Sequence, residues 1–340
     1  MAYTVTLSPS QHQFSVDENQ PLLEAGLQQG LGLPYGCKSG VCGSCKGKVL
    51  SGEVAHGTAS EQALTASERA SGVTLLCCAT ARSNLSIEIR ELRGGNDYPV
   101  RIMPARVESM TLAAPDVMLL RLKLPASEKF RFRPGQYIDI LLKDGQRRSF
   151  SVANAAAQSE GIELHIRRVD GGQFTQHVFT TMKVRDILRI EGPLGSFFLQ
   201  DEDPCPVILL AGGTGFAPVK AMIEAAIADK RTRSFHIYWG ATTPSGLYLD
   251  TLVREWAATH PHIRYTPVVS DLATDTDWNG RKGLVHLAVI EDYPDLSNHQ
   301  VYACGSPAMI AAARSDLMTR CGLREEAFFS DAFTFSTAPA

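Results

Sequence analysis

Between Tyr35 and Cys45 the chain reads YGCKSGVCGSC, a stretch dense in thiols and glycines. Four residues separate Cys37 from Cys42 and two separate Cys42 from Cys45, the spacing that holds a [2Fe–2S] cluster whose fourth ligand comes from further along. Soft thiolates suit iron and let charge spread over such a cluster. Gly36, Gly40 and Gly43 permit the unusual backbone angles and close N–H approach that a wrapping loop needs. The fourth ligand is then Cys77 or Cys78. The competing chemistry is a structural zinc site, but zinc usually takes paired CxxC segments and only one such spacing occurs in this cluster.

A second stretch, LLAGGTGFAPVKAMIEA, reads as a strand entering a glycine-rich turn and leaving as a helix. Small residues at Gly212, Gly213, Thr214 and Gly215 let the backbone approach a pyrophosphate, and a helix N-terminus favours its charge. Pro218 sits where a helix opens. A glycine turn alone is weak, but YWGATTP and YACGSPAMI supply two further strand ends where a nucleotide lies in a doubly wound sheet. The second of these ends, GATTPSG from Gly240 to Gly246, has no Arg or Lys to hold a 2′-phosphate, which favours NADH over NADPH. Arg281 and Lys282 keep that question open.

These groups need elements to carry them. With 340 residues the chain exceeds one compact core and implies two or three domains. The first ninety residues alternate strands (YTVTL, HQFSV, LSIEIREL) with one helical piece, PLLEAGLQQG, as in a small α+β unit. RGGNDYP, Arg93 to Pro99, is a linker. From Val100 to about Gln200 six short strands follow one another, which indicates an antiparallel barrel or sandwich. After QDEDPCP, apolar strands alternate with helices, the pattern of a parallel sheet covered on both faces.

A net charge of −3 offers no broad basic field, so neither nucleic acid nor a membrane surface is indicated as a partner. The N-terminus lacks a secretory pattern and no apolar run reaches the roughly 20 residues of a membrane span, so a cytoplasmic location is expected. In that reducing setting the cysteines are ligands, reactive groups or core thiols rather than disulfides.

Between these regions, PGQYIDI leads into RRSFSVAN, Arg147 to Asn154, which resembles the RxYS motif of the ferredoxin reductase family. The resemblance implies that Arg148 pairs with the flavin pyrophosphate, that Phe150 covers the isoalloxazine and that Ser151, with Val152 after it, lies near the reactive nitrogen. Phe for Tyr keeps a stacking face and loses a hydroxyl. LHIRRVDGGQFTQHVF then resembles the second phosphate-binding segment, implying cofactor contacts from Arg167, Gly172, Phe174 and Thr175. Taken alone, RRSFS is equally an ordinary strand.

The GGTGFAP loop is similar to the nicotinamide-nucleotide loop of the same family, with Gly240 at the next strand end. CGSPAM, with Cys304 and Gly305, is similar to its CGxxxM pattern beside the nicotinamide, although a buried core thiol is the plain alternative for Cys304. Cys205 and Cys321 are core or surface thiols. In FFSDAF the family likeness makes Asp331 a candidate proton relay and Phe333 a packing group, against the alternative of a surface aspartate.

With the signatures in the order ferredoxin, flavin, nucleotide, the chain resembles the iron–sulfur flavoreductases with an N-terminal ferredoxin domain. The resemblance implies a β-grasp ferredoxin domain at 1–93, an antiparallel β-barrel FAD domain at 99–202 and an α/β NAD domain at 203–335. Aligning SNLSIEI with the last ferredoxin strand makes Cys77 the fourth ligand. Electrons would run from NADH through FAD and the 2Fe-2S cluster to an acceptor protein, a dehydrase or an oxygenase component. Ser151 and Cys304 would orient the rings rather than form covalent bonds. The rivals are a redox sensor without turnover and a zinc scaffold.

Overall fold

The first two strand-like pieces form a hairpin. β1 (Ala2–Ser8) pairs antiparallel with β2 (Gln13–Asp17), so Val5, Leu7, Phe14 and Val16 share one buried face. This computed structural model describes residues 2–95, 97–127, 130–155, 161–200, 204–271 and 278–333. It groups the chain into two units, one of Met1–Pro99 with Gly195–Gln200 and the segment from Asp331, the other of the rest.

In the first unit, α1 (Leu22–Gln28) follows Pro21 and buries Leu22, Leu23 and Ala25. After the cysteine loop come β3 (Lys46–Ser51), β4 (Val54–Ala55), α2 (Ala66–Ala70), β5 (Val73–Leu75), β6 (Thr80–Ala81) and β7 (Leu85–Glu88). The sheet order is β2-β1-β7-β3-β5, with β1 and β7 parallel and the other pairs antiparallel. That mixed sheet with α1 against it is the expected ferredoxin-type domain. β3 reads KGKVLS, too rich in Gly and Lys to show as a strand in sequence; α2 declares itself only through the capping box of Thr65 and Glu68.

The second unit begins with the barrel: β8 (Arg101–Ala114), β9 (Val117–Lys123), β10 (Tyr137–Leu141), β11 (Arg147–Ser151), β12 (Gly161–Arg167), α3 (Gln173–Thr180) and β13 (Ile187–Leu194). All strand pairs in the order β11-β10-β13-β8-β9-β12 are antiparallel, and a Val152↔Leu164 bridge joins the two ends. Leu120, Leu122, Ile138, Ile140, Leu164 and Ile190 fill it.

The parallel sheet follows with β14 (Val207–Gly212), α4 (Phe216–Ala228), β15 (Phe235–Ala241), α5 (Asp250–Thr259), β16 (Ile263–Val269), β17 (Arg281–Lys282), α6 (Val285–Asp292), β18 (Gln300–Gly305), α7 (Pro307–Cys321) and β19 (Phe328–Ala332). Its order is β17-β16-β15-β14-β18-β19. Neighbours from β17 through β18 run parallel, which brings the C-terminal ends of β15, β14 and β18 side by side. In this part of the chain the sequence did not announce β17, nor α6, whose apolar run is short, nor β19, the FFSDA tail that extends the sheet beyond β18.

The sequence boundaries near 93–99 and 202 separate three domains, whereas here the barrel and the parallel sheet fall in one unit. Gly195–Gln200 goes with the cysteine-rich unit because Ser196 and Tyr35 exchange hydrogen bonds. Ser196 Oγ accepts from Tyr35 N at 2.8 Å, and Tyr35 O accepts from Ser196 N at 3.1 Å.

Candidate functional site

The cysteine loop satisfies itself through N–H to sulfur bonds. Ser39 N and Cys42 N each donate to Cys37 Sγ, and Cys37 N donates to Cys42 Sγ, all at 3.4 Å. Gly40 and Gly43 adopt φ of +75° and +76°, a region that side chains disfavour. Gly36 has a different reason to be glycine. A Cβ there would stand 3.3 Å from Cys42 Sγ, 3.4 Å from Ser44 Oγ and 3.4 Å from Asp331 Oδ1.

The thiols fall into two pairs. The Cys42 thiol, with the N–H groups of Ser39 and Val41, lowers Cys37 to about 4, and Cys42 is pushed up in return. Cys77 is held up by its hydrogen bond with Cys45 and then by burial. Two pairs of cysteine side chains, a lining of N–H donors and a glycine cradle fit a two-iron cluster. Cys78 Sγ lies 3.5 Å from Cys77 Sγ, and burial pushes its thiol up to about 12.

Asp331 is buried beside this loop, as its approach to the Gly36 position shows. The alternative of a surface aspartate is therefore set aside, and the carboxylate lies against the cysteine segment. Phe333 is half-buried.

On the barrel, Arg148 lies on β11, with Nη2 donating to Gln146 Oε1 at 2.6 Å. Phe150 packs on Phe174 with ring centroids 5.6 Å apart, and Ser151 is buried at the strand end. The Val152 side chain is wholly inside the barrel core, so only its main chain can meet a cofactor. Gly172 caps α3. Thr175 Oγ1 accepts from Val169 N at 3.1 Å and donates to Gly172 O at 3.1 Å. Its hydroxyl holds the turn closed and leaves the first-turn N–H groups to receive an anion.

At the parallel sheet the glycines mark backbone touching backbone. A Cβ on Gly215 would stand 2.2 Å from Cys304 O, and one on Gly212 would stand 2.6 Å from Met309 Sδ. Gly240 has a packing reason, since its Cβ would fall 2.8 Å from Val285 Cβ. Cys304 is fully buried at the end of β18, and Ser306 Oγ caps α7 by accepting from Met309 N. Pro218 lies buried in the first turn of α4, where no N–H is needed.

Arg167 ends β12 and faces this loop: its Nη1 is 2.8 Å from where a Cβ on Gly213 would stand. Its Nε lies 3.2 Å from Asp116 Oδ2, outside hydrogen-bonding direction, and remains a buried donor without a hydrogen-bond acceptor. A guanidinium with spare donors beside a glycine-lined helix start fits a pyrophosphate. Arg281, one of the two cations left open for a 2′-phosphate, is engaged by Glu291, by Asp292 and by Ala288 O.

The sequence reading missed a buried polar cluster between β12 and α4. Lys220 Nζ contacts Glu163 at 3.1 Å and Glu224 at 2.7 Å, and donates to Ala153 O at 3.1 Å. His165, fully enclosed, lies between Glu163 and Tyr248 Oη at 3.0 and 2.8 Å. Its sequence signal was present: Lys220 and Glu224 interrupt the apolar helix PVKAMIEAAIA four residues apart. Trp239 is also new. Its Nε1 donates to Gly213 O at 2.9 Å while its ring stacks on Phe216 at 3.9 Å.

Family models match in the order of these features: a 2Fe-2S iron-sulfur cluster binding domain over residues 5–82, an oxidoreductase FAD-binding domain over 104–199 and an oxidoreductase NAD-binding domain over 209–315. The CDP-6-deoxy-L-threo-D-glycero-4-hexulose-3-dehydrase reductase of Yersinia pseudotuberculosis is 44% identical, covering 98% of this chain and 99% of its own. Reductase component 2 of the terephthalate 1,2-dioxygenase of a Comamonas species is 38% identical, covering 100% and 99%. The crystal structure of an Amycolatopsis cytochrome P450 reductase superimposes with a TM-score of 0.78 at 33% identity, covering 98% of this chain and 100% of that one.

Proposed function

Because the chain belongs to the iron–sulfur flavoreductases, with 2Fe-2S, FAD-binding and NAD-binding domains in one polypeptide, we propose that its electrons pass to the dehydrase of 3,6-dideoxysugar synthesis. Its activity is then that of a CDP-6-deoxy-3,4-glucoseen reductase. The observation that carries this reading is the end-to-end 44% identity with the dehydrase reductase. The second reading, a reductase component for a ring-hydroxylating oxygenase, rests on the equally complete but lower 38% match.

When bound, FAD would supply two-electron hydride chemistry and a 2Fe-2S cluster one-electron transfer, which together would make the protein a two-to-one electron converter. Cys37 with Cys42 would hold one iron and Cys45 with Cys77 the other, as the thiol pairing supports. Arg148 and the first turn of α3 would hold the flavin phosphates, with Phe150 and Ser151 at its ring. Gly212–Gly215 and Arg167 would hold the dinucleotide pyrophosphate, and Cys304 would flank the nicotinamide. Engagement of Arg281 by Glu291 and Asp292, and the absence of cations from Gly240 to Gly246, favour NADH over NADPH.

Mixing the reductase with NADH, the dehydrase and its CDP-hexulose substrate tests the acceptor. Deoxygenated product dependent on the reductase is expected; coupling only to an oxygenase component would overturn the assignment. Cys42→Ser should abolish transfer to the acceptor while NADH still bleaches the flavin. Loss of both would mean that the cluster's place in the path is misassigned.

A further inference from the structure

Lys220 lies one turn into the helix that starts at the nucleotide loop, and it donates to Ala153 O, two residues beyond Ser151 at the end of the flavin strand. Glu224, one turn further, accepts from Ala155 N at 3.2 Å. Both ends of the redox site are therefore tied to one helix by charged groups.

The ties continue through the barrel wall. Glu163 takes the Lys220 ammonium and the N–H of His165 Nε2 on the same Oε1. Only acceptors exist on that carboxylate, so Nε2 carries the proton and the neutral ring's Nδ1 accepts from Tyr248 Oη. Burial favours this neutral imidazole. Tyr248 meets Trp239 edge to face at 5.1 Å, and Trp239 holds Gly213 O. The path thus leaves the flavin strand at Ala153 and returns to the nucleotide loop at Gly213.

A buried ion pair contributes little net stability compared with apolar residues of the same shape, because desolvation offsets the attraction. What directional, fully satisfied bonds supply is a single geometry. We propose that Lys220, Glu163, His165 and Tyr248 form a positioning device that holds the nucleotide loop at a set distance from the flavin strand, and so sets the contact between nicotinamide and flavin. All four act through the loop and the strand, as positioning residues rather than catalytic ones. The inference rests on the assignment of Arg148–Ser151 to flavin and of Gly212–Gly215 to the nucleotide.

Two variants of near-identical shape, Tyr248→Phe and Glu163→Gln, test it in FAD-loaded protein by stopped-flow absorbance. Each should slow flavin reduction at saturating NADH by about tenfold, the effect of a displacement well under 1 Å. The long-wavelength charge-transfer absorbance between nicotinamide and flavin should weaken in parallel, with FAD content and NADH affinity unchanged. The double variant should be no slower than the slower single one, since both cut the same chain. Wild-type rates and an unaltered charge-transfer band in both variants would overturn the proposal, even with lowered melting temperatures, because a scaffold role moves only the latter. Failure of the site assignment looks different: the wild type itself would then bind no FAD or show no reduction by NADH.

Discussion

Gly215→Ala isolates the meeting of two backbones at the nucleotide loop. Its backbone already lies at φ −57°, ψ −9°, so alanine meets no conformational obstacle and the effect must come from space alone. The added Cβ would stand 2.2 Å from Cys304 O and 2.6 Å from Cys304 C. Both are main-chain atoms of a central strand and cannot rotate aside. Relief needs the start of α4 and the end of β18 to part by about 1 Å or more to reach ordinary contact. A misplacement of that size costs about 10²-fold in a step that needs aligned reactants, or about 3 kcal/mol in the barrier. Stopped-flow reduction of bound flavin by NADH measures it directly, with weakened NADH binding and undiminished FAD content expected, since β11, to which we assign the flavin, does not include these residues. A wild-type reduction rate would refute the argument that this approach sets the nucleotide's position.

Gly40→Ala should empty the cysteine loop of iron, because its Cβ would stand 2.6 Å from both Cys78 Sγ and Thr58 O on a residue at φ +75°; full iron and labile sulfide per chain would contradict this. Acid stability should report the buried cluster as well. Burial raises the Glu163 carboxyl, but the hydrogen bond from His165 and the Lys220 ammonium outweigh it and hold the group at about 2. A depressed carboxylate stabilises the fold above its unfolded value and loses that contribution as pH falls through its folded one. Fluorescence melts of wild type and Glu163→Gln should therefore differ most near neutrality, by on the order of 3 kcal/mol, and converge between about pH 5 and about pH 2. A gap that persists at the acid end would assign the loss to something other than charge.

The chemistry of this chain is legible where it depends on local spacing. Cys37, Cys42 and Cys45 lie within one loop, so their intervals alone limit which metal centre they can hold. The glycine turn at Gly212 to Gly215 is likewise a local matter of strand, turn and helix. β1, β2 and the barrel strands showed as short strand-like runs, and β2 carries the period of two that a half-buried strand writes into its own sequence. β3 and α6 did not show, since KGKVLS has few apolar residues and VHLAVIED is short enough to pass for either element.

What sequence could not contain is which distant groups meet. The pairing of Cys45 with Cys77, the place of Asp331 beside Gly36 and the approach of Gly215 to Cys304 each join residues tens to hundreds of positions apart. Lys220 interrupts an apolar helix, but nothing in the sequence says that Glu163, His165 and Tyr248 are what it meets. Spacing within single elements pointed to the iron–sulfur loop and the nucleotide turn, while the flavin strand and the order of the domains rested on resemblance to a family. Tertiary structure alone decided which groups surround each cofactor site. Burial turns charge and hydrogen bonding into strong, directional constraints only after the sheet and the barrel have closed around them.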